Sequence, residues 1–563
     1  MYPIRFGPAT LPLAHPGLVR SVPPGPEPVG AGLAGGVVAV RLGDLVAVEG
    51  VSGTQVLVPG SAGRVRDGDL VAWCTVTAVA PAVLDADGRI AVDGWLPDQV
   101  RLGVLEEHLG RGTVEQVVAN CAARPVEQDE VVPRRRQRLM SLPLVARLVL
   151  AMTLLPQASY VEALAQLVGV LPRLPWARPW QVPSSKVITA WRRRLGVDAM
   201  KALFDRVAGP VVAATDPAGL WHGLRVAALD GCQTRVADTE ANRAAFGSSG
   251  TAEDGSDSPF PLVRIVLATA RAGRAILAAA LDASRVGEQT LTARLIAEHP
   301  HLFTAEYIYV VDRNFLSHDF IDSVHQGGQG AHLLMRVKDG IRLPVVQRLG
   351  PGEYLSYFGS GHRRVKLRVV EYDVRLPDGT VSELFCLGTT LLDHHTYPAA
   401  DIAEVYRQRW SASETTIGEA KSTITDAGPS RGPILRAEEP DLVRQEAWAW
   451  LTATQLLRKT AYAATLTTTG VSTDQISFTT TRREATRSMT QSLVTATSSP
   501  AALADAADQT ARGVLSNLVT VERDRHSPRR QKCRPKFPHT ATTKPTTHGP
   551  LKINLGTPEP DTS

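Results

Sequence analysis

The stretch LRVAALDGCQTRVADTEANRAAFG, at residues 224–247, decides the fold of the middle of the chain. Its first part is apolar and predicts a β-strand over residues 223 to 229 that ends at Asp230. A second run, YIYVVDRNF at residues 307–315, predicts a strand over residues 307 to 311 that ends at Asp312. We therefore expect two strands of one sheet that each end at an aspartate.

Further elements on both sides of these runs complete an α/β pattern. Strands are predicted at residues 262–268, 275–280 and 331–337, and helices at residues 287–299 and 319–324. The order along the chain is three strands, helix, strand, helix, strand. A chain with this order can form a mixed five-stranded sheet flanked by helices.

The pattern changes between about residues 338 and 395. Val370, Tyr372 and Val374 alternate with charged residues, and a Pro-Asp-Gly turn signal follows at residues 377–379. These features predict an inserted antiparallel β region. Helical patterns return at residues 399–422 and 440–463, so we expect one domain over residues 216–465.

Residues 96 to about 215 predict a helical N-terminal domain, with helices at 142–155, 160–171 and 184–195. The last of these helices carries Arg192, Arg193 and Arg194. Small helices with basic ends are compatible with a helix-turn-helix-like DNA-binding unit. A helical bundle with a solvated basic face is the alternative. Residues 1–95 are rich in Gly and Val and predict short strands, and their role is unknown.

The charge of the chain is concentrated near its C-terminus. The net charge of the 563 residues is +5, but residues 523–552 contain nine Lys and Arg and one acid, a local charge of +8. We expect residues 466–563 to form a basic, largely disordered tail, because Thr, Ser, Arg and Pro dominate there. Such a tail suits a polyanion, nucleic acid first, and a solvated tail without a partner is the alternative.

Five scattered cysteines, with no C-x-x-C pair, argue against a disulfide framework and a structural zinc site. The chain start shows no signal peptide, and arginines interrupt the most apolar stretches. We therefore expect no membrane association and a cytoplasmic location. The cysteines are Cys74, Cys121, Cys232, Cys386 and Cys533.

Three acids stand where this order of elements brings side chains together: Asp230, Asp312 and Glu414, the last in the helical run YRQRWSASETTIGEAK at residues 406–421. Three carboxylates without a compensating base repel one another, so such a cluster favours divalent cations. Carboxylate oxygens suit Mg²⁺ or Mn²⁺. Two such ions about 3.5–4 Å apart can drive an in-line phosphoryl displacement.

The motifs around these acids are specific in combination. Asp230-Gly231 is followed by DTEANRAAFG at residues 238–247, and Asp312-Arg313 forms a DR pair. Residues 406–421 are similar to a Y-x2-R-x3-E-x6-K signature, and an LR pair and a P-x-LVRQE-x-W run follow at residues 435–448. In these motifs, over about residues 97 to 465, the chain resembles the DDE transposases of the insertion-sequence-4 family.

The resemblance implies a ribonuclease-H-like fold and a role for each motif residue. Asp230, Asp312 and Glu414 would be the catalytic, metal-binding triad. Residues that would contact DNA are Tyr406, Arg409, Lys421 and Arg313. Arg offers a bidentate fork to phosphate and Lys a point charge. Each DNA-contacting residue has a plainer alternative, Tyr406 as a core aromatic and the basic residues as solvated helix charges.

Three departures from the family pattern stand out. Four residues, rather than three, separate Arg409 from Glu414, which shifts the register by about 100° if the helix is continuous. Either a loop absorbs the extra residue or the site is damaged, with Glu419 as a weaker substitute. Cys232 replaces the usual Thr, and Asn314 stands where Gly is common.

The resemblance implies a transposase that binds the terminal inverted repeats of its element in double-stranded DNA. With two Mg²⁺ or Mn²⁺ ions, it would cleave the DNA and join it to target DNA near the nucleoid. It would act as a homodimer when paired on two ends. The alternatives are an inactive DNA-binding remnant, a nuclease without strand transfer, and a protein whose acids are structural.

Overall fold

The computed structural model describes most of the chain from residue 96 onward. The described residues are 96–110, 112–122, 140–169, 180–213, 219–247, 260–325, 329–338, 340–341, 343–359, 361, 364–375, 379, 381–382, 384–408, 415–423, 434–491, 500–519 and 552–555, with short strands elsewhere. Those strands form hairpins Ile4–Arg5 with Thr10–Leu11, Val46–Gly50 with Gly53–Leu57, Ala62–Asp67 with Leu70–Thr75, Val83–Leu84 with Ile90–Ala91, and Arg525–His526 with Thr547–His548.

The chain divides into two compact units, which we call the helical unit and the sheet unit. The helical unit comprises Met1–Val207, Gln445–Thr467 and Thr479–Ser516. The sheet unit comprises Ala208–Arg444, Thr468–Phe478 and Asn517–Ser563. The sequence analysis predicted a helical domain over residues 96 to about 215 and a second domain over residues 216–465. In the structure, segments beyond residue 444 also join the helical unit.

The helices of the helical unit come from chain segments that precede and follow the main segment of the sheet unit in the sequence. Its first six are α1 Leu96–Gln99, α2 Leu105–Leu109, α3 Thr113–Ala122, α4 Leu142–Leu154, α5 Tyr160–Val168 and α6 Ser185–Val207. Ser141 and Ser159 cap α4 and α5, as their side chains accept the N–H of the third helical residue. Gly196, with φ of 75°, kinks α6.

Two further helices lie where the sequence analysis predicted disorder. They are Phe478–Gln491 and Pro500–Leu515. Ala485 and Val514 are fully buried, and Thr481 is buried as well. The prediction of a largely disordered tail was therefore wrong for these segments, because threonines and alanines with one buried face were interpreted as low-complexity sequence.

His108 in α2 gives the helical unit a pH-dependent stability. Burial, with a smaller contribution from the charge of Lys459, lowers the pKa of His108 to about 4. The unfolded chain binds this proton below about pH 6.5, whereas the folded chain excludes it until about pH 4. The stabilising contribution is thus complete above pH 6.5 and is lost as the pH falls through 4.

We expect His108→Gln to remove this dependence. Between pH 7 and pH 4 the free energy of unfolding of the wild type should fall by roughly 3 kcal/mol more than that of the variant. Urea unfolding of both proteins at pH 7, 5.5 and 4 measures the difference. Parallel curves for the two proteins over this range would contradict the assignment.

The sheet unit contains one twelve-stranded mixed sheet. Its strands, in chain order, are β1 Leu220–Trp221, β2 Leu224–Val236, β3 Leu262–Ala270, β4 Ile276–Ala283, β5 Tyr307–Val311, β6 His332–Arg336, β7 Gln347–Gly350, β8 Glu353–Phe358, β9 Val365–Arg375, β10 Phe385–Thr389, β11 Ile434–Leu435 and β12 Lys552–Leu555. Its helices are α7 Glu240–Phe246, α8 Glu288–Glu298, α9 His318–His325, α10 Ala399–Arg407 and α11 Thr415–Thr423, before α12 Pro440–Thr465, which continues into the helical unit.

The five predicted strands are neighbours in the order β4-β3-β2-β5-β6, with β2, β5 and β6 parallel. Two details differ from the prediction. Strand β2 continues through Asp230 to Val236, because Cys232, Thr234 and Val236 alternate inward. The sheet has more than the five predicted strands, since β10 of the inserted antiparallel region pairs with β6 and extends the order to β6-β10-β9-β8-β7.

Each face of the sheet carries its own hydrophobic core. On one face, Ala227 and Leu229 pack in a cluster with Leu291 and Leu295 of α8. On the other, Val226 and Val310 pack with residues of α10. Because side chains alternate along a strand, Asp230 shares the α10 face, and Gly231 shares the α8 face.

The DTEANRAAFG motif has a structural role next to β2. Thr239 caps α7, and its hydroxyl donates to the carbonyl of Glu438 at 2.8 Å. Asn242 is fully buried and donates to the carbonyls of Ala237 and Ala437, both at 3.0 Å. These bonds hold the chain after β11 beside the end of β2.

None of the helices in the described residues is long and apolar enough to span a membrane.

Candidate functional site

The register of β2 and β5 places Asp230 and Asp312 side by side. Ala228 lies opposite Val310 in the parallel pairing, and each aspartate stands two residues further along its own strand. Asp312 keeps an extended backbone, with φ of −78° and ψ of 173°. Both carboxylates therefore leave the same face of neighbouring strands, which are about 4.8 Å apart.

Each aspartate is held by nearby amides. The backbone N–H of Asn314 donates to Asp312 Oδ1 at 2.7 Å, and its side-chain Nδ2 donates to Oδ2 at 3.1 Å. The N–H of Gly231 donates to Asp230 Oδ1 at 2.9 Å. Asn314, one of the departures from the family pattern, thus orients an aspartate of the candidate site.

A third acid, Glu288, lies beside these aspartates and was not predicted. It is the first residue of α8 and is partly buried. The pKa of its carboxyl is raised to about 7, first by burial and then by the charges of Asp230 and Asp312. Arg264 and the N–H of Gly231 oppose this rise. The sequence shows Glu288 only as an acid in the first turn of a predicted helix. Such acids are common at helix starts, so this position alone does not indicate a functional residue.

Arg409 and Glu414 lie outside the described residues, between the end of α10 and the start of α11. Lys421 lies within α11, and its side chain is also outside the description. Two arginines of the turn between β3 and β4 bind described residues that precede and follow Glu414 in the sequence. Arg271 donates to Gln408 at 2.7 Å, and Arg274 donates to Glu419 at 3.2 Å.

The contact between this turn and Glu419 affects whether Glu419 could replace Glu414 as the third acid. Because Glu419 forms an ion pair with Arg274, its carboxylate is already engaged, which disfavours it as a substitute for Glu414. Arg274 ends a three-residue 3₁₀ helix between β3 and β4, and Arg271 directly precedes this helix. They hold both flanks of the segment that contains the extra residue.

The other predicted DNA contacts divide into buried and accessible residues. Tyr406 is only 7% exposed and packs in the core on the α10 face, as expected for a core aromatic. Arg313 is partly exposed and directly follows Asp312. Among the predicted phosphate-binding residues of the sheet unit with described side chains, Arg313 is therefore the accessible one.

The basic run in α6 requires a correction at Arg192. Its side chain is fully buried, forms an ion pair with Glu446 at 3.2 Å and lies over the ring of Tyr160. A guanidinium in this position is not accessible to a DNA phosphate. Arg193 and Arg194 are exposed, so these two residues of the predicted basic run remain accessible.

The donor set fits a hard divalent cation, although it is incomplete in the described residues. Asp230 and Asp312 offer carboxylate oxygens, the ligands that Mg²⁺ and Mn²⁺ prefer. Within the described parts of the chain, no group of three or more His, Cys, Asp or Glu residues is arranged to hold a metal ion. Glu414, the predicted third ligand, lies outside those parts.

Comparisons with known proteins find two matching domain families and two relatives. Residues 221–449 match the family model of the transposase DDE domain, and residues 99–205 match that of the insertion element 4 transposase N-terminal domain. The chain is 28% identical over 348 residues to transposase InsG for insertion sequence element IS4 of Escherichia coli K12, covering 61% of this chain and 74% of InsG. It is also 28% identical over 160 residues to InsZ of the same strain, covering 28% of this chain and 52% of InsZ.

The match of residues 221–449 to this domain model places the chain among the DDE transposases. With the matching N-terminal domain, the chain belongs to the insertion-sequence-4 family of these transposases. A solved piggyBac transposase synaptic complex with hairpin DNA covers 72% of this chain and 84% of its own. The two chains are 8% identical, with a TM-score of 0.35.

Proposed function

We propose that the sheet unit is a ribonuclease-H-like catalytic domain that cleaves the ends of its insertion element and joins them to target DNA. The placement of Asp230 and Asp312 on neighbouring parallel strands carries this proposal. Two Mg²⁺ or Mn²⁺ ions would be held by these aspartates and Glu414, and when bound they would supply Lewis-acid stabilisation of the phosphoryl group.

The residues of the chain prepare this site in two ways. Asn314 holds both oxygens of Asp312, which fixes the carboxylate beside that of Asp230. Arg271 and Arg274 bind Gln408 and Glu419, which precede and follow Glu414 in the sequence. Fixed ligand positions limit the reorganisation that is needed when the scissile phosphate arrives.

DNA would be held by basic residues of both units. Arg313, next to Asp312, is placed to contact a phosphate near the cleaved strand, and Lys421 and Arg409 would bind the backbone of the element end. Arg193 and Arg194 would contact the terminal inverted repeat. We propose that a homodimer pairs two ends on the nucleoid.

A cleavage assay tests the proposal. The purified full-length protein is incubated with labelled DNA that carries the ends of its own element, with Mg²⁺, with Mn²⁺ or with EDTA. We expect metal-dependent nicks at the element ends, followed by joined products. DNA binding without cleavage would instead indicate an inactive remnant, for which the extra residue before Glu414 is the favourable observation. Cleavage without joined products would indicate a nuclease.

A further inference from the structure

The proposed function assigns no role to the P-x-LVRQE-x-W run at residues 440–448, but two of its side chains contact α6 within the helical unit. They are Gln445 and Glu446, which are both buried in α12. We propose that Gln445 is a positioning residue that, together with Glu446, holds the basic run of α6 in the orientation in which it binds DNA. This inference rests on the proposed function, because it concerns the contact of Arg193 and Arg194 with the terminal inverted repeat.

The first support is a break in α6 that one side chain spans. Gly196 has φ of 75° and ψ of 173°, a backbone conformation that is essentially restricted to glycine. The last carbonyl groups of a helix have no donors within that helix. Gln445 Nε2 donates to the carbonyls of Arg192 and Gly196, at 2.6 and 2.8 Å. One amide of α12 therefore holds the end of the first half of α6 against the break and fixes its direction.

The second support is the burial of Arg192 against the same two side chains. Its Nε donates to Gln445 Oε1 at 3.4 Å, and its Nη1 lies 3.2 Å from Glu446 Oε1. Successive residues of an α-helix are about 100° apart, so an inward Arg192 turns the next two residues away from the core. Arg193 and Arg194 are both exposed. Gln445 and Glu446 therefore set the rotation of the helix that presents these two arginines.

The third support is the order of the exposed side chains. The guanidinium of Arg194 lies over the ring of the buried Trp191, 5.1 Å from its centroid. An arginine that is ordered in this way loses less side-chain freedom when it binds a phosphate. Its contact with DNA then depends on the direction of the helix, whereas a solvated basic face without a partner has no such dependence.

Binding of the full-length protein to labelled DNA with the ends of its own element, measured by fluorescence anisotropy at several KCl concentrations, tests this inference. Arg193→Gln combined with Arg194→Gln should lower the slope of log K against log salt by about 1.8, since each neutralised phosphate contributes about 0.9. Gln445→Met keeps the length of the side chain but donates no hydrogen bond. It should lower the slope by about 1 to 2 and weaken binding about tenfold.

Gln455→Met is the matched control for Gln445→Met. Gln455 is also buried in α12 and donates to the carbonyl of Val207, the last residue of α6, at 3.3 Å. Its replacement removes a bond to the same helix, but one that lies away from the break. It should therefore reduce stability by a similar amount and leave the salt slope of the wild type unchanged. All variants are compared at a temperature at which circular dichroism shows them folded.

Gly196→Ala provides an independent variant, because its Cβ would meet no atom within 4 Å and only the backbone conformation opposes it. We expect it to lower the salt slope as Gln445→Met does. Wild-type slopes in both variants, with a lowered slope in the double arginine variant, would overturn this inference and leave the proposed function intact. An equal fall in Gln455→Met would also overturn it, since the cause would be general destabilisation. A wild-type slope in the double arginine variant would overturn the proposed DNA contact itself.

Discussion

Asp312→Asn is expected to lower the rate of DNA cleavage by roughly a thousandfold or more, which corresponds to about 4 kcal/mol of lost transition-state stabilisation. The amide keeps the shape of the side chain and can still accept from Asn314, but it lacks the negative charge that a divalent cation needs. Asp230→Asn should have an effect of the same size, because the register makes the two aspartates equivalent neighbours.

The measurement is single-turnover cleavage of labelled element ends, with DNA binding followed in parallel by mobility shift at low salt. Both variants should bind DNA at least as well as the wild type, since a negative charge near the phosphates is removed. Asp319→Asn, at an exposed carboxylate of α9, is the control and should cleave normally. Cleavage by Asp312→Asn at the wild-type rate would place the active site elsewhere.

The sequence is sufficient to predict the centre of the sheet because the signals there are local. Strand β5 has the predicted bounds, since five consecutive apolar residues precede Asp312. The error at β2 is also local in origin. Cys232, Thr234 and Val236 continue the alternation after Gly231, and the Asp-Gly pair was interpreted as the end of the strand.

Other features depend on residues far apart in sequence and could not be predicted from local patterns. Arg192 belongs to a basic run, but its burial depends on Glu446, more than two hundred residues later. The pairing of β6 with β10 across the inserted region is equally non-local. Glu288 could not be singled out in the sequence, because an acid at a helix start is common. Its proximity to Asp230 and Asp312 follows only from the packing of α8 on the strands.

Arg147 in α4 provides the largest expected effect on stability. Its side chain is fully buried, binds Glu106 through Nε at 3.1 Å as well as through Nη2, and donates to Glu115 at 2.9 Å. Arg147→Met should lower the free energy of unfolding by about 3–5 kcal/mol, because Glu106 is left buried with its charge only partly compensated. Urea unfolding followed by tryptophan fluorescence measures this, since Trp191, Trp448 and Trp450 are buried in the helical unit.

Two further variants show whether the cause is the uncompensated charge or the lost packing. Replacing both partners, Glu106→Leu with Arg147→Met, removes the most buried ion pair, leaves Arg101 paired with Glu115 at 3.3 Å, and should recover most of the lost stability. Arg294→Met breaks an exposed ion pair with Asp282, where the arginine is 54% exposed, and should cost less than about 1 kcal/mol. A double variant as unstable as Arg147→Met alone would show that the geometry of the ion pair, rather than charge compensation, holds α2 and α4 together.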